Sequence, residues 1–158
     1  ASYHATDLLS DILGRGKSSR LYSSLVEDKK IFNGLSAYVM GSLDPGMMMI
    51  EGKTNKGVGL EEAEAAVWEL IHDFKKEAFT VEELTKVKNK AESTLVFSEL
   101  ELLNRAMNLA FAVNMGDADL VNKEGDMLQA VTKDQVLAQA DTVLNESNAS
   151  VLRYAAAK

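Results

Sequence analysis

The sequence predicts an α+β fold in which helices pack on one face of a small antiparallel sheet. Three observations predict it. Apolar residues fall at helical spacing on both sides of a glycine-rich turn near the start. A stretch of β-branched, aromatic and small residues then straddles an Asp-Pro-Gly turn. From residue 60 onward helical stripes recur, two of them opened by capping boxes.

The elements follow in order. "YHATDLLSDIL" places Leu8, Leu9, Ile12 and Leu13 at helical spacing, so a first helix leads into "GRGK". Ser18 or Ser19 is expected to cap a second helix through "SRLYSSLVEDK", in which Leu21 and Leu25 share a face. "IFNGLSAYVMGS" and "MMMIEGKT" read as two strands of a hairpin around Pro45, the chain's one proline. "LEEAEAAVWELIHDFKKEAF" lines up Ala63, Val67, Leu70, Ile71 and Phe74. Thr80 and Glu83 form a capping box for a long helix with a break near Ser98. "NMGDADL" ends that run, Gly116 suiting a helix end and Asp117 or Asp119 a new start. Thr132 and Gln135 box the next helix, and "ASVLRYAAA" reads as a closing strand.

The chain of 158 residues fits a single domain, 1–158, and can bury a sizeable core. A net charge of −7 and a pI near 4.9 argue against a nucleic-acid partner and against a polybasic membrane-surface module. No apolar run is long enough for membrane insertion, and the N-terminus reads as that of a mature, trimmed or excised chain. Cysteine is absent, which fits a reducing or an oxidising compartment, so localisation stays open.

"LGRGKSSRLY" superficially resembles a phosphate-binding loop. The pattern G-x-x-x-x-G-K-[ST] would need glycine at position 11, which is Asp11, and a strand where a helix is expected. Two histidines, His4 and His72, lie far apart. His4, Asp7 and Asp11 share a helix face and could in principle collect a cation, although the set is short of nitrogen and sulfur ligands and reads as a solvated face. His72 beside Asp73 reads as an exposed helical residue. Glu82, Glu83, Glu92, Glu99 and Glu101 read as a solvated face with pairs such as Glu82 with Lys86. "GMMMI" reads as core on one strand face and a covered second face. Ser18 and Ser19 have no sequence-local histidine, so capping is favoured over nucleophilic use. No self-sufficient active site emerges from the residues.

The segment "ATDLLSDILGRGKSSRLYSSLVEDKKIFNGLSAYV" resembles the insulinase, or pitrilysin, family of zinc metallopeptidases, which includes processing-peptidase-like members. Gly14, Gly16, Ser18, Ser19, Arg20 and Leu21 occupy the family's helix-turn-helix motif, with Ala5, Leu9, Leu13 and Leu25 around it. "DPGMMMIEG", "FTVEELTKVKNKAESTL", "AVTKDQV" and "NASVLRY" follow in family order. The resemblance implies a structural role for the motif: glycines for the turn, a serine cap, and Arg20 and Leu21 pinning the second helix. It also implies zinc held through H-x-x-E-H in a catalytic domain. The 158 residues contain no H-x-x-E-H, so the chain itself is expected to carry no cofactor and to resemble the non-catalytic half-domain, with strands preceding Tyr3 absent. An arginine and tyrosine that reach substrate in many such domains fall here on Leu120 and Met127, so contact by that route is not expected. Arg153 and Tyr154, adjacent in the expected last strand, cannot replace them.

The function this implies is the non-catalytic C-terminal portion of a zinc metalloendopeptidase, forming part of a chamber wall around peptide. Its expected partners are a catalytic zinc-binding domain, in cis or as a separate subunit, a peptide substrate, and a second copy through an exposed sheet edge. The alternatives are a structural or assembly subunit of the same family and an unrelated small-molecule-binding domain.

Overall fold

A computed structural model describes residues 2–41 and 46–155. Helix α1 (Ser2–Gly14) is the centre of the molecule, because its leucines point in several directions at once. Leu8, Leu9 and Leu13 are fully buried, and the helix packs against the first strand and three of the later helices. Each such leucine contributes about 1.5–3 kcal/mol by leaving water. After the glycine turn the chain forms a π-helical segment, Tyr22–Asp28, in which the Lys29 N–H donates to the Ser24 carbonyl at 2.8 Å. Leu21 and Leu25 are buried on its inner side. The residue before this segment, Leu21, makes no side-chain cap, which corrects the expected serine cap. The Ser19 hydroxyl instead donates backwards to the Gly16 carbonyl at 2.6 Å.

Strands β1 (Phe32–Met40) and β2 (Met47–Thr54) pair antiparallel, with Ala37 opposite Ile50, Val39 opposite Met48, and a register irregularity between Phe32 and Gly34. Leu35, Ala37, Met48 and Ile50 face the core, and α1 lies across that face. Asp44 and Pro45 of the predicted turn lie outside the described residues. The second face corrects an expectation: Tyr38, Met40 and Met47 are exposed rather than covered, because no described element lies over them.

Helices α2 (Leu60–Glu77), α3 (Val81–Ser98), α4 (Leu102–Asn114), α5 (Leu120–Gln129) and α6 (Lys133–Val143) complete the helical layer. Both predicted capping boxes form: Thr80 with Glu83 and Thr132 with Gln135 exchange reciprocal bonds. The expected break falls after Ser98, and α5 starts after Asp119. The closing strand is not formed. Residues 149–155 belong to no strand, and Leu152 and Tyr154 are exposed. A strand needs a ladder partner, and among the described residues β1 and β2 pair only with each other. Arg153 instead holds α2 through Glu64 at 2.7 Å and Glu61 at 3.5 Å. No helix among the described residues is long and apolar enough to cross a membrane.

Candidate functional site

The turn after α1 is where four elements converge, and its sequence explains how closely they do so. Gly14 sits against β1: a Cβ built there would stand 2.1 Å from the Ala37 backbone nitrogen, so the end of α1 can lie on the strand only without a side chain. Gly16 has φ +92°, a conformation that side chains rarely adopt, and it reverses the chain so that Arg20 and Leu21 re-enter the fold.

From that turn, three groups reach α3. Arg20 forms a two-pronged pair with Glu83: its Nε donates to Oε1 at 2.7 Å and its terminal nitrogen to Oε2 at 2.9 Å. The same terminal nitrogen lies 3.5 Å from the carbonyl of Ala78, a residue itself held at φ 59°. Lys86 Nζ donates to both the carbonyl and the hydroxyl of Ser18 at 3.2 Å, and Lys90 Nζ donates to the Arg15 carbonyl at 3.2 Å. Glu83, Lys86 and Lys90 follow one another at turn spacing along α3, so a single face of that helix grips the turn. The bond from Arg20 holds the Glu83 carboxyl below the usual glutamate range against the opposing effect of burial, and the same bond raises the Arg20 guanidinium. Glu83 thus serves two structures at once, the Arg20 fork and the α3 capping box.

The motif residues Gly14, Gly16, Ser18, Ser19, Arg20 and Leu21 are therefore all brought to this junction. The partners on α3 were not read from sequence. Glu82 with Lys86, the expected pair, is replaced by Lys86 on Ser18, because the exposed Lys86 side chain reaches across to the turn. The available signal was the spacing of Glu83, Lys86 and Lys90 opposite a turn rich in free carbonyls.

On the outer side of the turn lies an open cleft of about 590 Å³, floored by Gly14, Gly16, Gly52 and flanked by Lys17, Tyr22 and Lys53. The phosphate-loop reading fails here for the reason anticipated: a helix, not a strand, runs into the turn.

A second, smaller cleft of about 240 Å³ lies between α1, α3 and α5, with Tyr3, His4, Asp7, Glu92 and Glu124 on its walls. Burial lowers the His4 pKa and raises that of Asp7. Asp11 is 3% exposed and bonds Arg15 through both oxygens at 3.2 Å, yet its pKa is raised, because burial outweighs the pull of a half-exposed guanidinium. Asp11 is thereby committed to Arg15 and unavailable as a third ligand. His72 is exposed on α2, stacked at 6.2 Å on Trp68 and 3.5 Å from Glu146. Among the described residues no group of three or more histidine, cysteine or acidic side chains is placed to hold a metal ion. The donor set does not fit a catalytic zinc site.

The model of the peptidase M16 inactive domain matches residues 1–91, more than half of the chain and the whole of the glycine-turn junction. The chain belongs to that family. The insulinase-type resemblance seen in the sequence is thus borne out, as is the α+β fold class. The inactive domain is 30% identical over 101 residues to the uncharacterized zinc protease YmxG of Bacillus subtilis strain 168, a match covering 64% of this chain and 24% of that protein. It therefore spans about a quarter of the curated relative's length. A crystal structure of a candidate zinc protease from Bordetella pertussis Tohama I superposes with a TM-score of 0.87 at 26% identity, over 99% of this chain and 86% of that one. The inactive peptidase domain of a candidate zinc protease from Bordetella parapertussis gives 0.88 at 25% identity, over 98% and 84%. A protease from Helicobacter pylori, at 22% identity and a TM-score of 0.81 over 93% of this chain and 36% of that one, shares the fold.

Proposed function

We propose that this inactive M16 domain is the non-catalytic C-terminal portion of an insulinase-like zinc metalloendopeptidase and forms part of the wall that encloses a peptide substrate. The observation that supports the reading is the family match over the glycine-turn junction in a chain whose acidic and histidine side chains assemble no metal-binding group among the described residues. Zinc, and the water it activates, would then belong to a catalytic domain on the same polypeptide or on a separate subunit. This chain's contribution would be shape: a rigid surface that holds an extended peptide beside the metal and raises the rate through orientation.

In this reading Gly14, Gly16, Ser18, Ser19, Arg20 and Leu21 fix the angle between α1 and α3, and the sheet is completed by further strands of the full protein. The outer edges of β1 and β2, unpaired among the described residues, and the unpaired segment 149–155 support that completion. The test is to mix the chain with a catalytic zinc-binding domain of the same family and assay peptide cleavage. Chelator-sensitive cleavage by the mixture but not by this chain supports the proposal. An inert mixture with zinc bound points to an assembly subunit, and cleavage by this chain alone removes the proposal.

A further inference from the structure

The outer face of the hairpin gathers a donor type that neither cleft contains. Partners across a ladder share a face, and so do residues two apart along a strand. Leu35, Ala37, Met48 and Ile50 are turned to the core. The rows facing outward are therefore Met40 with Met47, Tyr38 with Met49 and Ser36 with Glu51. Three of the chain's seven methionines thus meet on one face, at one end of the sheet. Met40 is 50% exposed and Met47 55%, and Met49 is partly buried, so the first two thioethers are open to solvent rather than spent in packing.

Geometry allows the three sulfurs to act together. Cross-strand partners stand about 4.5–5.5 Å apart and diagonal neighbours about 7–8 Å apart. Met40 and Met47 are such partners, and Met49 is the diagonal neighbour of Met40. Three rotatable bonds in each methionine side chain let sulfurs that start from those separations converge on one ion without moving the backbone.

The donor type selects the ion. Thioether sulfur is neutral and polarizable and suits cuprous copper, whereas magnesium and calcium seek oxygen and zinc takes thiolate, imidazole or carboxylate. The surroundings favour a cation. Tyr38 lies on the same face beside Met40 and Met49, and its hydroxyl donates to Glu51 at 3.2 Å, which fixes a carboxylate one row from Met49. Lys53 stands a further row away, and the chain as a whole carries −7.

We propose that Met40, Met47 and Met49 form a thioether site for a soft monovalent metal ion, cuprous copper, on the outer face of the β1–β2 hairpin. The site is separate from the zinc of the proteolytic reading and does not rest on it.

Silver(I), with the same charge and donor preference, is the first probe, and cuprous ion under anaerobic conditions the second. The 158-residue chain, carrying isotope-labelled methionine methyl groups, is titrated and followed by NMR. One equivalent of either ion is expected to shift the methyl signals of Met40, Met47 and Met49 and to leave those of Met107, Met115 and Met127 in place. Zinc should shift none of them. Met40→Leu, Met47→Leu and Met49→Leu keep size and apolar character while removing the sulfur. Each should weaken silver binding by at least about tenfold, the loss that changes even behind the direct ligands cause at metal sites. Silver should raise the melting temperature of the wild type and leave that of the triple leucine variant unmoved. The three single variants are read separately, so the test stands even where the triple variant fails to fold. The proposal is overturned by the absence of a shift at one equivalent, by shifts shared alike among all seven methionines, or by the same shifts with zinc. Silver binding undiminished in the single variants, and hence held elsewhere, such as at His4 or His72, overturns it too.

Discussion

Replacing Arg20 with alanine removes both prongs of the fork to Glu83 and the contact with the Ala78 carbonyl. The Arg20 side chain is 35% exposed and that of Glu83 24%, so the pair is neither a free surface pair, worth about 0–1 kcal/mol, nor a fully buried one, whose breakage costs about 3–5 kcal/mol. Two charge-assisted bonds at this burial, discounted for solvent screening, place the loss at about 2 kcal/mol. Glu83 does not become orphaned, because one oxygen still accepts the Thr80 N–H at 2.9 Å, which keeps the loss below the buried limit. Urea unfolding of wild type, Arg20→Ala, Glu83→Gln and the double variant gives the coupling directly, expected at about 1 kcal/mol or more. Arg20→Lys should recover only part of it, because a lysine lacks the planar fork. The pH dependence has a defined sign. Glu83 is held below its ordinary pKa, chiefly by the Arg20 bond, so its stabilisation is complete above the unfolded glutamate value and is lost as pH falls through the lower folded one. Arg20→Ala should therefore flatten the acid limb of the stability curve. A coupling near zero, or an acid limb unchanged by the variant, would refute the view that this fork anchors the turn to α3.

The same reasoning yields three further expectations. Gly14→Ala forces a methyl against the Ala37 backbone and should destabilise by about 1–3 kcal/mol by chemical denaturation; unchanged stability would show that α1 and β1 tolerate separation. Gly16→Val should cost about 1–3 kcal/mol through its φ of +92°, while ATP should leave the wild-type melting temperature unmoved; nucleotide stabilisation abolished by Lys17→Ala would revive the phosphate-loop reading. Asp11 carries a raised pKa, so its ionised form penalises the folded state: the penalty is absent below the unfolded aspartate pKa and complete above the folded one. Asp11→Asn should therefore gain most relative to wild type at neutral pH, and a gain confined to acid pH would contradict the assigned cause.

What the sequence disclosed was local. Thr80 with Glu83 and Thr132 with Gln135 announce helix starts because both partners of each cap lie within one turn, and the drift of apolar positions disclosed the break after Ser98. The family motif drew attention to Gly14, Gly16 and Arg20, but Glu83, Lys86 and Lys90 lie tens of residues away, and no local rule pairs a charge with a distant carbonyl. The π-helical segment at Tyr22–Asp28 escaped because Leu25 and the preceding Leu21 also fit α-helical spacing. "ASVLRY" has strand composition, yet a strand is a relation between two segments, and composition describes only one. Likewise, only the fold reveals that Asn104, Asn108 and Ala112 are the positions of α4 turned inward.

The most direct test of the account is a reconstitution assay read in parallel with metal content. The chain alone and the chain mixed with a catalytic domain bearing H-x-x-E-H are incubated with a quenched fluorescent peptide, with and without chelator, and zinc is measured in each sample. The account predicts an inert chain with no stoichiometric zinc, and a mixture that cleaves faster than the catalytic domain alone and stops on chelation. Chelator-sensitive cleavage by the purified chain, or a catalytic domain whose rate this chain leaves unchanged under conditions where the two bind, would contradict it.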